Sequence, residues 1–179
     1  MELVKIPANR VSSLIGKKGG TKSVLEERLK VKITVSKEGD VEVDGEPLEE
    51  FVAKDVVKAV GRGFEPEIAL KLVSDRFALK IVNLREFSHS EKEKSRMKGR
   101  IIGMDGKAKH IIEQDADCQM AVYGNTVAII APLETIEVAV NAVFKIMQGQ
   151  PHSAVYMYLE KAKKRMKEES LKESLGISL

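Results

Sequence analysis

The sequence predicts an α+β protein made of two copies of one β-α-α-β-β-α unit, each followed by an extra helix. Three observations predict it: an internal repeat at a fixed offset, a glycine-x-x-glycine loop at the same place in both copies, and the same order of period-two and helical hydrophobic patterns. The loops are "LIGKKGG" (Leu14 to Gly20) and "IIGMDGK" (Ile101 to Lys107). Gly16 and Gly19 align with Gly103 and Gly106 at an offset of 87, and so do Ile15 with Ile102, Lys22 with Lys109, Leu25 with Ile112 and Val35 with Val122. The offset then falls to 86, where Val41 aligns with Val127, Val43 with Ile129, Val60 with Ile146 and Gly63 with Gly149. A deletion of one residue in a hairpin loop, "SKEGD" against "YGN", accounts for the change.

The elements follow in order. "ELVKIP" alternates and is rich in β-branched residues, so it reads as a strand. "NRVSSLIG" reads as a short helix with Asn9 as its cap. After the loop, "TKSVLEERLK" is an amphipathic helix with Val24, Leu25 and Leu29 on one face. "VKITV" and "DVEVDG" are strands joined by a turn at Gly39. "PLEEFVAKDVVKAVGRG" is a longer helix, with Pro47 in the first turn and Gly61 and Gly63 at its end. The second copy reads "FALKIVNL" strand, "SEKEKSRMKGRIIG" helix with a Ser90–Glu93 capping box, loop, "KAKHIIEQDA" helix, two strands and the helix "LETIEVAVNAVFKIMQG". The expected layout is a first domain over 1–63, a linker helix over 64–76, a second domain over 77–149, and a carboxyl-terminal helix and tail over 150–179, with "LGISL" fraying.

Composition narrows the function classes. No stretch approaches the ~20 apolar residues of a membrane span. "MELVKIPANR" carries no apolar signal core, and Cys118 is the single cysteine, so a cytoplasmic monomer without disulfides is expected. His89, His110 and His152 lack ligand spacing and there is no CxxC, so neither a metal nor a cofactor is expected. Cys118 aligns with Val31 and reads as a small core residue. The acidic pairs Glu26–Glu27 and Glu49–Glu50 read as solvated faces, so no catalytic residue is assigned. The net charge of +3 permits a nucleic-acid partner without requiring one.

Two glycines three apart between helices allow a tight turn and close backbone approach. The loop amides and the start of the next helix form a phosphate-binding arrangement. At these residues the chain resembles the KH family of single-stranded nucleic-acid binders, whose glycine-x-x-glycine loop clamps a nucleic-acid backbone. Element order matches the eukaryotic-type (type I) arrangement, which implies two tandem type I KH domains, each with a three-stranded antiparallel sheet packed on helices. The whole-chain pattern, including "RIIGMDGKAKHIIE" and "QPHSAVYMYLEKAK", resembles archaeal two-KH-domain factors of small-subunit ribosome biogenesis. That resemblance implies a partner in single-stranded RNA near the 3′ end of 16S or pre-16S rRNA. It also implies protein partners from that pathway: a 3′-end rRNA endonuclease, or other ribosome-assembly or translation-initiation proteins.

The expected RNA-binding set in the first copy is Gly16, Lys17, Lys18 and Gly19 in the loop, with Arg10, Ser13 and Lys22 beside it. In the second it is Gly103, Met104, Asp105 and Gly106, with Arg96, Lys98, Arg100, Lys107 and Lys109 around them. Asp105 leaves two readings open. A carboxylate at a phosphate site repels it by about 1–2 kcal/mol when partly desolvated, so either the basic neighbours offset it or the loop faces a protein. The run "KAKKRMK" (Lys161 to Lys167) is either an extension of the RNA surface or an exposed helix face. The leading expectation is a non-catalytic RNA-binding protein. The alternative is the RNA-binding subunit of an RNA-decay, translation or RNA-processing enzyme complex.

Overall fold

The computed structural model of the protein describes residues 1–176. In the first repeat, β1 (Glu2–Lys5), a 3-10 turn over Ala8–Arg10 and α1 (Val11–Ile15) precede the glycine loop. After it come α2 (Gly20–Leu29), β2 (Lys32–Val35), β3 (Asp40–Asp44) and α3 (Pro47–Gly61). The connection holds one α-turn, α4 (Pro66–Ala69), and a 3-10 turn over Leu70–Val73. The second repeat is β4 (Phe77–Asn83), α5 (Glu91–Ile102), α6 (Lys107–Asp115), β5 (Gln119–Tyr123), β6 (Thr126–Pro132) and α7 (Ile136–Met147), followed by α8 (His152–Ser174). The α+β class and the duplicated element order stand as the sequence predicts.

Three local expectations change. The linker helix expected over 64–76 is reduced to the four residues of α4 and a 3-10 turn. Asn9 does not cap a helix: it lies inside the 3-10 turn, and its side-chain oxygen accepts from the Tyr123 hydroxyl at 2.5 Å. The capping box at α5 is half formed. Ser90 Oγ accepts from Glu93 N at 3.4 Å, but the Glu93 carboxylate is bonded to the Ser88 hydroxyl instead of reaching back to Ser90 N. Ser88 Oγ in turn accepts from Ser90 N at 3.0 Å.

Each repeat forms a three-stranded sheet with its last strand in the middle, β1-β3-β2 and β4-β6-β5. The hairpins keep equivalent registers: Ile33 faces Val43 and Val35 faces Val41 in the first, Met120 faces Ile129 and Val122 faces Val127 in the second. The deleted residue is in the turn, where Ser36 N donates to Asp40 O across Gly39 in one copy and only Gly124 and Asn125 separate Tyr123 from Thr126 in the other.

Contacts divide the chain into two compact units that do not follow the repeat boundary: residues 1–83 with 119–130, and residues 84–118 with 131–179. In the first unit, alternation turns Val4, Ile33, Val41 and Val43 inward, and α3 lays Ala53, Val56, Val57 and Val60 on them at helical spacing. Each buried aliphatic side chain of this kind contributes about 1.5–3 kcal/mol. Ala121, Ala128 and Ile130 of the second repeat's sheet join the same core, with Phe77 and Leu79 packed against it. In the second unit, α5, α6, α7 and α8 pack through Ile101, Ile112, Val143, Ile146, Val155 and Leu159, all with no more than trace exposure.

Cys118 is buried in the second unit, as its alignment with Val31 suggests. Burial, with Glu113 and Asp117 nearby, pushes its thiol up to about 12. The thiolate is the reactive form, so the folded protein at pH 8 is expected to resist a thiol reagent. The same protein in denaturant should label fully. Stoichiometric labelling of the native state within minutes would show that the site opens.

Candidate nucleic-acid interface

The two glycine loops have the same backbone. Gly16 has φ 72° and ψ −177° and Gly103 has φ 74° and ψ 175°. The third loop residue is left-handed in both copies, Lys18 at φ 51° and Asp105 at φ 52°. Gly19 and Gly106 are left-handed as well. The first glycine of each loop is fixed by a close approach too. A Cβ on Gly16 would lie 2.9 Å from Thr21 N, and one on Gly103 would lie 2.8 Å from Ala108 N. The turn therefore folds back onto the start of the following helix, and no side chain caps α2 or α6 at that end. The amides of Gly19 and Gly20 donate to Gly16 O and Lys17 O, and those of Gly106 and Lys107 to Gly103 O and Met104 O, so a 3-10 turn closes the start of each helix while its positive end faces the loop, where a phosphate is favoured.

The surrounding cations divide into two groups. Arg10 and Arg100 hold the fold. Arg10 Nε donates to Val60 O at 2.9 Å and Nη2 to Phe64 O at 2.8 Å. Arg100 Nη1 donates to Ile146 O at 2.8 Å and Nη2 to Gln150 O at 2.5 Å. Val60 with Ile146, and Phe64 with Gln150, are equivalent at the offset of 86. The arginines themselves are not equivalent: Arg10 aligns with Met97, and Arg100 with Ser13. One job, tying the end of the long helix to the helix before the loop, is done from neighbouring turns in the two copies. The Arg10 guanidinium also lies 5.8 Å from the Tyr123 ring centroid. Both guanidinium groups, expected at the phosphate, make these bonds to the backbone in the structure, with Arg10 and Arg100 half-buried.

Lys22 and Lys109 are equivalent and each pairs with its i+4 carboxylate, Glu26 at 3.6 Å and Glu113 at 2.9 Å. Glu26 is itself fixed, accepting from Ile33 N at 2.8 Å. Ser13 is half-buried on α1. Lys17 and Lys18 stand exposed at the first loop, and Arg96, Met104, Asp105 and Lys107 are exposed at the second, with Lys98 half-buried on α5. Met104 is 83% exposed, an apolar side chain held into solvent at the loop tip. In the first unit the structure adds a cleft of about 460 Å³ between α2 and α4, lined by Thr21, Val24, Glu65, Pro66, Glu67 and Leu70. Its acidic lip beside a basic loop is absent from the expected site. The only sequence signal for it is the glutamate on either side of Pro66. Among the described residues no group of three or more His, Cys, Asp or Glu could hold a metal ion, and no helix is long and apolar enough to cross a membrane.

Comparison with known proteins agrees with this geometry. The model of the eukaryotic-type KH domain (type I) matches residues 78–164, and a KH-domain model matches residues 1–59. A KH domain-containing protein of Methanocaldococcus jannaschii is 41% identical over 93% of this chain and 76% of its own length. The solved chain in the a/eIF2alpha-aDim2p-rRNA complex of Pyrococcus horikoshii is 44% identical, with a TM-score of 0.86 over 92% of this chain and 94% of that one. This chain belongs to the Dim2-like family of two-KH-domain proteins. A pre-rRNA-processing protein pno1 of Aspergillus fumigatus is 32% identical over 64% of this chain, which spans about half of that relative (47%).

As a type I KH chain, the protein places both loops between two helices with the same loop backbone, although α1 has 5 residues and α5 has 12, so the loops themselves differ in charge and not in shape. The left-handed position suits aspartate better than lysine, because a short polar side chain tolerates it and a long one is strained by about 1–2 kcal/mol. Lys18→Gly is therefore expected to raise stability by about 1 kcal/mol and to weaken single-stranded RNA binding. Thermal unfolding and a binding titration on the same sample measure the two opposed changes, and tighter binding would remove Lys18 from the contact set. The arginine relocation gives a second expectation. Arg10→Met should cost about 2 kcal/mol or more through lost charge-assisted hydrogen bonds, and adding Ser13→Arg should restore most of it by reproducing the second copy's arrangement. Denaturant midpoints of the single and double variants decide this.

Proposed function

We propose that the chain is a non-catalytic RNA-binding protein of small-subunit ribosome biogenesis that binds single-stranded RNA near the 3′ end of 16S or pre-16S rRNA. The observation that carries this reading is the pair of left-handed glycine loops, each opening onto the positive end of a helix with no side-chain cap. The Pyrococcus relative in complex with rRNA and the fungal pre-rRNA-processing relative support the choice of RNA. At each loop the backbone amides take a phosphate. Lys17 and Lys18 add charge at the first loop, and Arg96, Lys98 and Lys107 flank Asp105 at the second. Phosphate contact supplies affinity without sequence preference, and base edges supply the preference. The chain acts in the cytoplasm, and its protein partners are a translation-initiation protein, as in the Pyrococcus complex, and a 3′-end rRNA endonuclease.

One member of each acidic pair departs from the solvated face expected of it, with Glu26 half-buried and Glu50 buried, and the fixed partners of both support the non-catalytic part of the reading. Glu26 holds the β2 backbone and pairs with Lys22. Glu50 accepts from Gly45 N and pairs with the Met1 ammonium at 2.5 Å, and these partners draw its carboxyl below the usual range. Carboxylates with such fixed partners are structural groups.

Crosslinking in cells followed by sequencing should enrich the 3′ end of 16S rRNA, whereas a spread over messenger RNA would overturn the assignment. Incubation of the pure protein with precursor rRNA and a divalent metal should leave the RNA intact, and cleavage would sink the non-catalytic reading. Lys17→Ala with Lys18→Ala should flatten the salt dependence of binding by about 1.4 in log–log slope, because each single-strand phosphate contact contributes about 0.7. Asp105→Lys should tighten binding if the second loop meets the backbone, and an unchanged affinity would assign that loop to a protein surface.

A further inference from the structure

The last two helices carry a polar face that the loops leave unused. On α7, Asn141, Lys145 and Gln148 recur at i, i+4 and i+7, the last just past the helix end. On α8, Tyr158, Lys161 and Arg165 recur at i, i+3 and i+7. These spacings put each triplet on one side of its helix. The two triplets meet. Lys145 Nζ lies 5.0 Å from the Tyr158 ring centroid. Asn141 and Tyr158 border two adjoining hollows, one of about 450 Å³ shared with Lys161 and Arg165 and one of about 340 Å³ shared with Lys145 and Gln148. Apart from exposed Glu137, one turn before Asn141, the rest of α7 is largely apolar, with Ala139, Val143 and Ile146 fully inside. The face therefore sets an aromatic ring, three cations and two side-chain amides along one groove.

We propose that this groove is a second contact for single-stranded RNA, in which an unpaired base lies against Tyr158 and the flanking phosphates meet Lys161 and Arg165. A ring face receives any base by stacking, and cations beside it track the backbone. Asn141 and Gln148 supply donors and acceptors in the plane of a base edge. Lys145 on the ring is held by the cation–π contact and adds positive potential without blocking both hollows. Arg165 has a partner in Glu169 at 3.7 Å, but the two side chains are 70% and 61% exposed, and a solvated pair of this kind yields readily to a phosphate. Lys163, on a different side of α8, pairs with Asp115 at 2.9 Å and is outside the groove set. The basic run thus divides by helical phase, with Lys161 and Arg165 facing the groove and Lys163 serving the fold. An acidic protein segment would meet the same cations and amides but would bring no planar base to stack on the ring.

The proposal rests on the reading that the chain binds single-stranded RNA, and it adds a contact remote in sequence from both glycine loops. The test uses the full chain and a 4-thiouridine-labelled single-stranded oligonucleotide of the 16S 3′ end, with Lys161→Ala/Arg165→Ala and Lys17→Ala/Lys18→Ala as parallel double variants. Photocrosslinks are expected on the peptide containing Tyr158. The groove variant is expected to bind roughly tenfold more weakly, with the salt slope reduced by about 1.4 for two lost phosphate contacts. Both substituted side chains are exposed, and an unchanged melting temperature checks that the fold is kept. Wild-type affinity and slope in the groove variant, or crosslinks confined to the glycine loops, would overturn the proposal and leave the groove to a protein partner. If the loop variant loses binding in that same experiment, the RNA-binding reading stands without the groove. If the wild-type chain binds no single-stranded RNA, both readings fall.

Discussion

Each repeat hangs on an arginine that reaches from the helix before the glycine loop to the carbonyls at the end of the long helix. Each guanidinium donates to one carbonyl in the last turn of the long helix, Val60 O or Ile146 O, which a backbone amide also reaches, and to one in the chain just past it, Phe64 O or Gln150 O. In the first unit the long helix has the sheet's apolar face beneath it, so its end is a fixed point. The loop inherits that fixity through Arg10. Arg100 does the same in the second unit, and its own carbonyl accepts from His152 Nε2 at 2.7 Å, which ties the start of α8 into the same joint. A loop that must offer amides to a ligand in one geometry gains from being anchored on both sides. Without the anchor, the ordering of the turn would fall on the ligand's binding energy.

The fold was readable because its signals are local and repeated. Period-two alternation in "VEV", Pro47 at a helix start and Gly39 in a turn each state their structure within a few residues, and the repeat alignment carries the same element order onto the second copy, where these signals are weaker. The glycines of the loop were readable for the same reason. The arginines were not. Arg10 and Arg100 reach carbonyls about fifty residues away, and a backbone carbonyl has no residue identity to look for. Beside a phosphate-binding loop an arginine in the sequence looks like a ligand residue, and only geometry shows that its donors are already in use. The shift of the arginine by one turn between copies hid the pattern further, because the repeat alignment pairs Arg10 with Met97.

The division into units was equally silent. β6 is buried at every residue from Thr126 to Ala131. A strand buried along its length reads as a plain apolar run, which fixes neither the neighbour nor the face. Ala121 and Ala128 join the core of the first unit with Ile130: the two alanines let the backbones approach, and Gly63, where a Cβ would lie 3.0 Å from Tyr123 Cβ, has the same effect from the other side. Nothing in the hydrophobic pattern of the second repeat separates these residues from an ordinary sheet core.

The contrast between the loops also changes once the neighbours are in place. By sequence the first looks basic and the second compromised by Asp105. In the structure the first loop keeps Lys17 and Lys18 at its tip but has Glu65 and Glu67 on the lip of the cleft along α2. The second keeps a carboxylate at its tip, with Arg96 and Lys107 exposed on the flanking helices. A nucleic-acid backbone is a line of charges, and a Debye length of about 8 Å at physiological salt lets each phosphate sense only its near neighbours. The positive charge is therefore at the turn in the first loop and on either side of it in the second. The backbone reason for Asp105 fits this division. Aspartate relaxes the left-handed position that lysine strains, so the second copy has the less strained turn and takes its positive charge from helices that carry no such strain.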